Sequence, residues 1–181
     1  MKFRKYGNSP YSIALIHGGP GAAGEMAPVA RQLGKTKGVL EPFQTKDSIA
    51  GQIEELKKIL EENSSPPVIL IGWSWGAWLA YLFSARYPEK VKKLILVSSG
   101  PFEEKYSRNI MKERLSRLSI SEKKKVSKLM EQLNKNPSKT MLKEFGELIS
   151  KADSYNVFIE KREEIHLNVN LYLKVWSEAA L

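Results

Sequence analysis

Four short apolar runs, rich in Ile, Leu and Val and showing little apolar-polar alternation, punctuate the first hundred residues at intervals filled by helical patterns. They are "SIALIH" (12–17), "GVLEPF" (38–43), "VILIGW" (68–73) and "KLILVS" (93–98). A strand that is apolar on both faces has to be covered on both faces, and only a parallel sheet wrapped by crossover helices does that routinely. The intervening stretches supply such crossovers: "EMAPVARQLGK", "DSIAGQIEELKKILEEN" and "GAWLAYLFSARYP". In the second, Ile49, Ile53, Leu56, Ile59 and Leu60 share a face; the third is stopped by Pro88. The expected fold class is therefore α/β, a doubly wound parallel sheet of at least four strands, occupying residues 1–101.

After "SSGPF" (98–102) the period becomes helical throughout. Ile110, Met111, Leu115 and Leu118 fall on one face, as do Val126, Leu129, Met130 and Leu133, and again Met141, Leu142, Phe145, Leu148 and Ile149. Asn136-Pro137 separates the second set from the third, and Asp153-Ser154 reads as a further helix start. Residues 102–181 are expected to form a helical region beside the α/β part. Apolar residues at 42% and charged residues at 27% suit a globular chain of 181 residues.

The absence of cysteine excludes disulfides, thiolate catalysis and thiolate metal sites. The basic start "MKFRKYGNSPY" lacks the apolar stretch of a secretory signal, and no run approaches the roughly 18 apolar residues of a membrane span, so a cytoplasmic location and no membrane partner are expected. The net charge of +9 is spread along the chain, and its densest cluster, Lys123-Lys124-Lys125, reads as the solvated face of an amphipathic helix. Nucleic acid is accordingly not an expected partner. No metal or cofactor is expected either.

Two glycine motifs compete for the functional reading. "HGGPGAAG" (17–24) contains Gly19, Gly21 and Gly24 in the spacing of a dinucleotide loop, with Glu41 where a ribose-binding acid would stand. Pro20 opposes that reading, because it removes one of the backbone N–H groups a phosphate cradle requires. The second motif, Gly72-Trp73-Ser74-Trp75-Gly76, fits G-x-S-x-G between a β-run and a helix. A serine at such a turn is forced into strained backbone geometry, and its flanking glycines let strand and helix approach. A helix N-cap would account for the serine alone but not for glycines on both sides. Trp73 and Trp78 read as packing residues, Trp75 as packing or as a substrate-pocket wall.

Together, "HGGPG" (17–21) and "GWSWG" (72–76), in that order on successive strands, resemble the α/β-hydrolase superfamily in its proline iminopeptidase-like branch; "ARYPEKVKKLILVSSGP" (85–101) is similar to the stretch after the nucleophile helix. The resemblance implies Ser74 as nucleophile, the N–H groups of Trp75 and of Gly18 or Gly19 as oxyanion hole, and His17 as a loop-ordering residue and not the base. It implies a small-molecule or short-peptide substrate, an amide or ester, with aminopeptidase-like cleavage favoured; Glu160, Glu163 and Glu164 read either as carboxylates available to a free amine or as the solvated face of a helix. It gives the helical 102–181 the place of the family's cap. Only Phe3 to Tyr6 could supply the family's N-terminal hairpin.

The family also adds two strands bearing an acid and then a histidine after the cap, so the resemblance implies that both lie beyond Leu181. Asp153 and His166 follow Ser74 in the right order, but "KADSYNVF" reads as a helix start and "EEIHLNVNLYL" as helix interior, so they are expected to be an N-cap and a polar helical position. A binding or regulatory remnant of the same fold is the non-enzymatic alternative.

Overall fold

The computed structural model describes residues 2–155 and 165–179. The elements are β1 (Phe3–Tyr6), β2 (Tyr11–Ile16), β3 (Ala22–Ala23), α1 (Ala27–Gly34), β4 (Gly38–Pro42), α2 (Ile49–Asn63), β5 (Val68–Trp73), α3 (Trp75–Arg86), β6 (Val91–Val97), α4 (Glu104–Ser107), α5 (Ile110–Ser116), α6 (Ile120–Lys135), α7 (Lys139–Asp153), β7 (His166–Leu167) and α8 (Val169–Ala179). They fall into two compact units, Met1–Gly100 with Glu163–Leu181, and Pro101–Arg162.

In the first unit the four apolar runs form β2, β4, β5 and β6, and the main sheet runs β1-β4-β2-β5-β6. β4, β2, β5 and β6 are mutually parallel, and β1 joins β4 antiparallel, with Phe3 opposite Pro42 and Tyr6 opposite Val39. The doubly wound α/β class expected from the sequence is the class observed.

The double burial of the strands is visible residue by residue. Along β2, Ile13 and Leu15 pack with Met26, Ala30 and Val39 on the α1 side, while Ala14 and Ile16 pack with Ile53, Leu56, Leu60, Leu79 and Phe83 on the side of α2 and α3. Both faces are therefore apolar, which is why the sequence shows no alternation. α2 starts where Ser48 Oγ accepts the Gly51 N–H at 3.1 Å, and it buries the predicted Ile53, Leu56, Ile59 and Leu60. β6 departs from the expectation of a strand covered on both sides: it is the sheet edge, and Ile95, Leu96 and Val97 are 37–41% exposed. Among the described residues no further strand pairs with it.

The second unit is helical. α6 opens with a capping box, Ser119 Oγ accepting the Glu122 N–H while Glu122 accepts from the Ser119 N–H, and α7 is capped by Ser138. Leu118, Val126 and Ala152, with Leu115, Phe145 and Leu148, form its core.

Two local expectations are corrected. Asp153 does not start a helix; it is the last residue of α7, where its carboxylate takes a two-pronged hydrogen bond from Arg114, Nε to Oδ1 and Nη2 to Oδ2, both 2.8 Å. His166 is not inside a helix either. It lies exposed in β7, a two-residue strand antiparallel to β3 with His166 opposite Ala23. The helix begins later because the Asn168 side chain caps it, Oδ1 accepting the Leu171 N–H at 3.1 Å.

Candidate active site

The strand order places β2 between β4 and β5, so the connection from β2 runs to one side and the next returns to the other. The crevice at such a reversal lies at the carboxyl ends of the strands. Both glycine motifs leave the sheet there, one after β2 and one after β5, which pair in register with Ile16 opposite Gly72.

Ser74 is the pivot between β5 and α3. Its backbone sits at φ 53°, ψ −119°, a region that L-residues other than glycine rarely enter. Its N–H donates to the Val97 carbonyl at 3.0 Å and its own carbonyl accepts from Ala77 at 3.0 Å, so neighbouring strand and helix together hold the turn. The side chain makes no capping hydrogen bond, which removes the ordinary reason for a serine at a helix start. The two flanking glycines are dictated by contact. A methyl group on Gly72 would stand 2.2 Å from the Gly76 carbonyl oxygen, and one on Gly76 would stand 2.3 Å from that of Ile16 and 2.5 Å from that of His17. The first turn of α3 is thus pressed against the end of β2, beside the start of the glycine loop. Trp75 opens α3, where a backbone N–H has no partner inside the helix and the helix dipole favours negative charge.

The glycine loop is held by a buried polar clasp. Gln44 donates its backbone N–H to His17 Nε2 at 3.2 Å, so Nε2 is the unprotonated nitrogen and Nδ1–H donates to the Gly18 carbonyl at 2.8 Å. The Gln44 side chain closes the clasp, Nε2 donating to the His17 carbonyl at 2.9 Å and Oε1 accepting from the Gly21 N–H at 3.3 Å. Burial drives the His17 pKa down to about 4, so the ring is neutral and acts as a strut. Gly19 has φ 48° and Gly21 φ 75°, which lets the loop turn tightly above the strand.

Around this turn the tryptophans pack. Trp75 is 1% exposed, donates Nε1–H to Gln52 Oε1 at 3.1 Å, and meets Trp78 and Trp176 at centroid distances of 6.0 and 5.4 Å. Of the two roles open to Trp75 in the sequence, packing is what its contacts describe. Trp78 donates to the Gly100 carbonyl at 2.8 Å. Trp73 lies against Gly18 and packs with the cluster under α1.

Glu41 does not occupy the position of a ribose-binding acid. It is fully buried in β4, accepting from the Tyr6 hydroxyl at 2.8 Å, with Arg4 at 3.9 Å. One acid escaped the sequence reading: Glu25, in the loop before α1, whose carboxyl is tucked against Gly18 and raised by burial to about 7. The only hint in the sequence is its position, a lone acid between the glycines and an apolar helix start.

Among the described residues no side chain hydrogen-bonds the Ser74 hydroxyl, and no cluster of three metal-ligating side chains occurs. Asp153 is engaged with Arg114 inside the second unit. Glu160, Glu163 and Glu164 lie outside the described residues. No helix among the described residues is long and apolar enough to cross a membrane.

Comparison with known proteins places this geometry. The chain is 30% identical over 104 residues to a proline iminopeptidase of Lactobacillus delbrueckii subsp. bulgaricus, covering 48% of this chain and 35% of that protein. It is 31% identical over 112 residues to a pimeloyl-[acyl-carrier protein] methyl ester esterase of Pseudoalteromonas atlantica, covering 56% and 42%. The matches span well under half the length of these relatives. Among solved structures, an epoxide hydrolase of Bacillus megaterium superposes with a TM-score of 0.62 at 14% identity over 97% of this chain and 67% of that one, a likeness of fold alone. The family model described as "alpha/beta hydrolase fold" matches residues 11–161, so the chain belongs to the α/β-hydrolase family.

Proposed function

We propose that this chain carries the nucleophile and oxyanion donors of a serine hydrolase that cleaves a small amide or ester through an acyl-enzyme on Ser74. The observation that carries the reading is the Ser74 backbone, held at φ 53° between two glycines that contact leaves no room to replace. A strained, uncapped serine between a strand end and a helix start serves no packing purpose, whereas it presents a hydroxyl above the sheet edge. In this reading the Ser74 oxygen attacks the substrate carbonyl, and the N–H groups of Trp75 and of Gly18 or Gly19 receive the oxyanion. The hydroxyl proton must pass, through a general base that no described side chain supplies, to the leaving amine or alcohol as its bond to the carbonyl carbon breaks; water then adds to the acyl-serine and restores the serine hydroxyl as the acid is released. An iminopeptidase and a methyl ester esterase among the relatives support an amide or ester as the substrate class, and the HGGPG motif favours aminopeptidase-like cleavage.

A fluorophosphonate probe tests the reading. Labelling of the protein that is lost in Ser74→Ala supports it, and equal labelling of both sinks it.

The second reading is a binding or regulatory protein on the same fold. It is favoured by one observation, that no described side chain reaches the Ser74 hydroxyl as a base. Without such a base a serine nucleophile loses on the order of 10⁴-fold or more in rate. Turnover of an activated ester by residues 1–181 is therefore expected close to background. Turnover abolished by both Ser74→Ala and His166→Ala would show that His166 supplies the base after all.

A further inference from the structure

Glu25 is a buried carboxyl beside the glycine loop for which the proposed chemistry has no use. A methyl group on Gly18 would stand 3.0 Å from Glu25 Oε2 and 2.7 Å from the Trp73 ring, so carboxyl, loop and indole meet at one point. Oε2 is buried and has no hydrogen-bond partner among the described residues. Buried polar atoms are seldom left so, and a carboxyl oxygen in that position is better tolerated neutral than charged.

We propose that Glu25 is a positioning residue of the oxyanion loop, whose neutral acid leaves the Gly18 and Gly19 amides to a developing oxyanion and whose carboxylate draws the Gly18 N–H to itself. The proposal rests on the Ser74 reading above and deepens it. In the ionised state a negative charge also stands beside the place where the substrate oxygen becomes negative, which opposes the same transition state.

The groups that act on the carboxyl agree with a change of state near neutrality. Burial is the largest influence and raises its pKa to about 7; the Gly18 amide lowers it, and the charge of Glu41 on β4 raises it. Glu41 is itself held by Tyr6 on β1 and by Arg4, and His17 at the end of β2 is neutral.

The amide of Gly18 reports on this directly. In ¹H–¹⁵N spectra of the wild-type chain its resonance should move with a midpoint near pH 7, and in Glu25→Gln it should not titrate. A Gly18 amide that stays fixed between pH 5.5 and 8.5, or that moves equally in both proteins, overturns the proposal. Fluorophosphonate labelling gives the second arm: the rate ratio of Glu25→Gln to wild type should be near one at pH 5.5 and rise to about tenfold at pH 8.5. A ratio that is flat across this range overturns it. If neither protein labels, as an unactivated Ser74 would have it, the Gly18 titration alone decides whether Glu25 governs the loop; labelling of wild type that persists in Ser74→Ala is what would sink the Ser74 reading instead.

Discussion

At Gly76 a single hydrogen atom decides whether strand and helix can meet. The atoms a methyl group would strike are the carbonyl oxygens of Ile16 and His17, both backbone, so nothing flexible can give way. Gly76→Ala is expected to cost about 3 kcal/mol or more in urea unfolding, and an exposed glycine with no close neighbours, Gly146, provides the control. His17 and Glu25 impose opposite pH slopes. His17, lowered to about 4, contributes stability that is complete above its unfolded value near 6.5 and lost as pH falls through 4. Glu25, raised to about 7, contributes stability that is complete below about 4.5 and lost as pH rises through 7. Glu25→Gln should therefore be more stable than wild type by about 2–3 kcal/mol at pH 8, with the difference vanishing near pH 4. A difference independent of pH in chemical denaturation would contradict the burial of this carboxyl. Glu25 itself was not legible in the sequence, because what singles it out is a tertiary contact with Gly18 and Trp73 that no periodicity encodes. Ser74 and its glycines were legible because they form a local five-residue pattern between strand and helix, although only the Gly72–Gly76 approach is local and the Ile16 and His17 carbonyls that Gly76 meets come from another strand end.

Elements were readable where the local signal and the tertiary demand agree. β2, β4 and β5 announce themselves as apolar runs because both faces are covered, and α2 because Ser48 caps an apolar stripe. β1 has no such run. Its Phe3–Tyr6 segment is fixed by antiparallel pairing with β4, by the Tyr6 bond to Glu41 and by Lys5 over the Tyr11 ring at 4.9 Å. The end of the chain was misread because the apolar period of "HLNVNLYL" suits a helix throughout, while the Asn168 cap and the β3–β7 pairing set the helix start at Val169. α8 is then anchored by Leu171 and Val175 against Trp75, and by Lys174 to Asp47 at 2.6 Å and Glu178 to the Ile49 N–H at 2.8 Å. Leu171→Ala should cost roughly 2–4 kcal/mol. Because α8 carries Trp176 against Trp75 and Trp78, the loss should also redden tryptophan emission before the main sheet unfolds. A single transition with unchanged native emission would show that α8 is not held by this contact.

At the scale of the whole molecule, the main sheet ends in two edge strands among the described residues, the short β1 on one side and β6 on the other. Three adjacent apolar residues of β6, Ile95, Leu96 and Val97, are 37–41% exposed along a strand whose outer side pairs with no other strand among the described residues. Such a strand is a template for any extended chain that reaches it, and the lysines at its start, Lys92 and Lys93, are the kind of charge that keeps edges apart. Self-association of the purified chain is therefore expected to run through this strand and to depend on ionic strength. Salt that screens the lysines should raise light scattering as protein concentration increases, and Ile95→Lys should suppress that rise without altering the unfolding free energy measured in urea by more than about 1 kcal/mol. Scattering unaffected by either change would mean that the open border of the sheet is inert, and that the molecule's solubility is governed elsewhere on its surface.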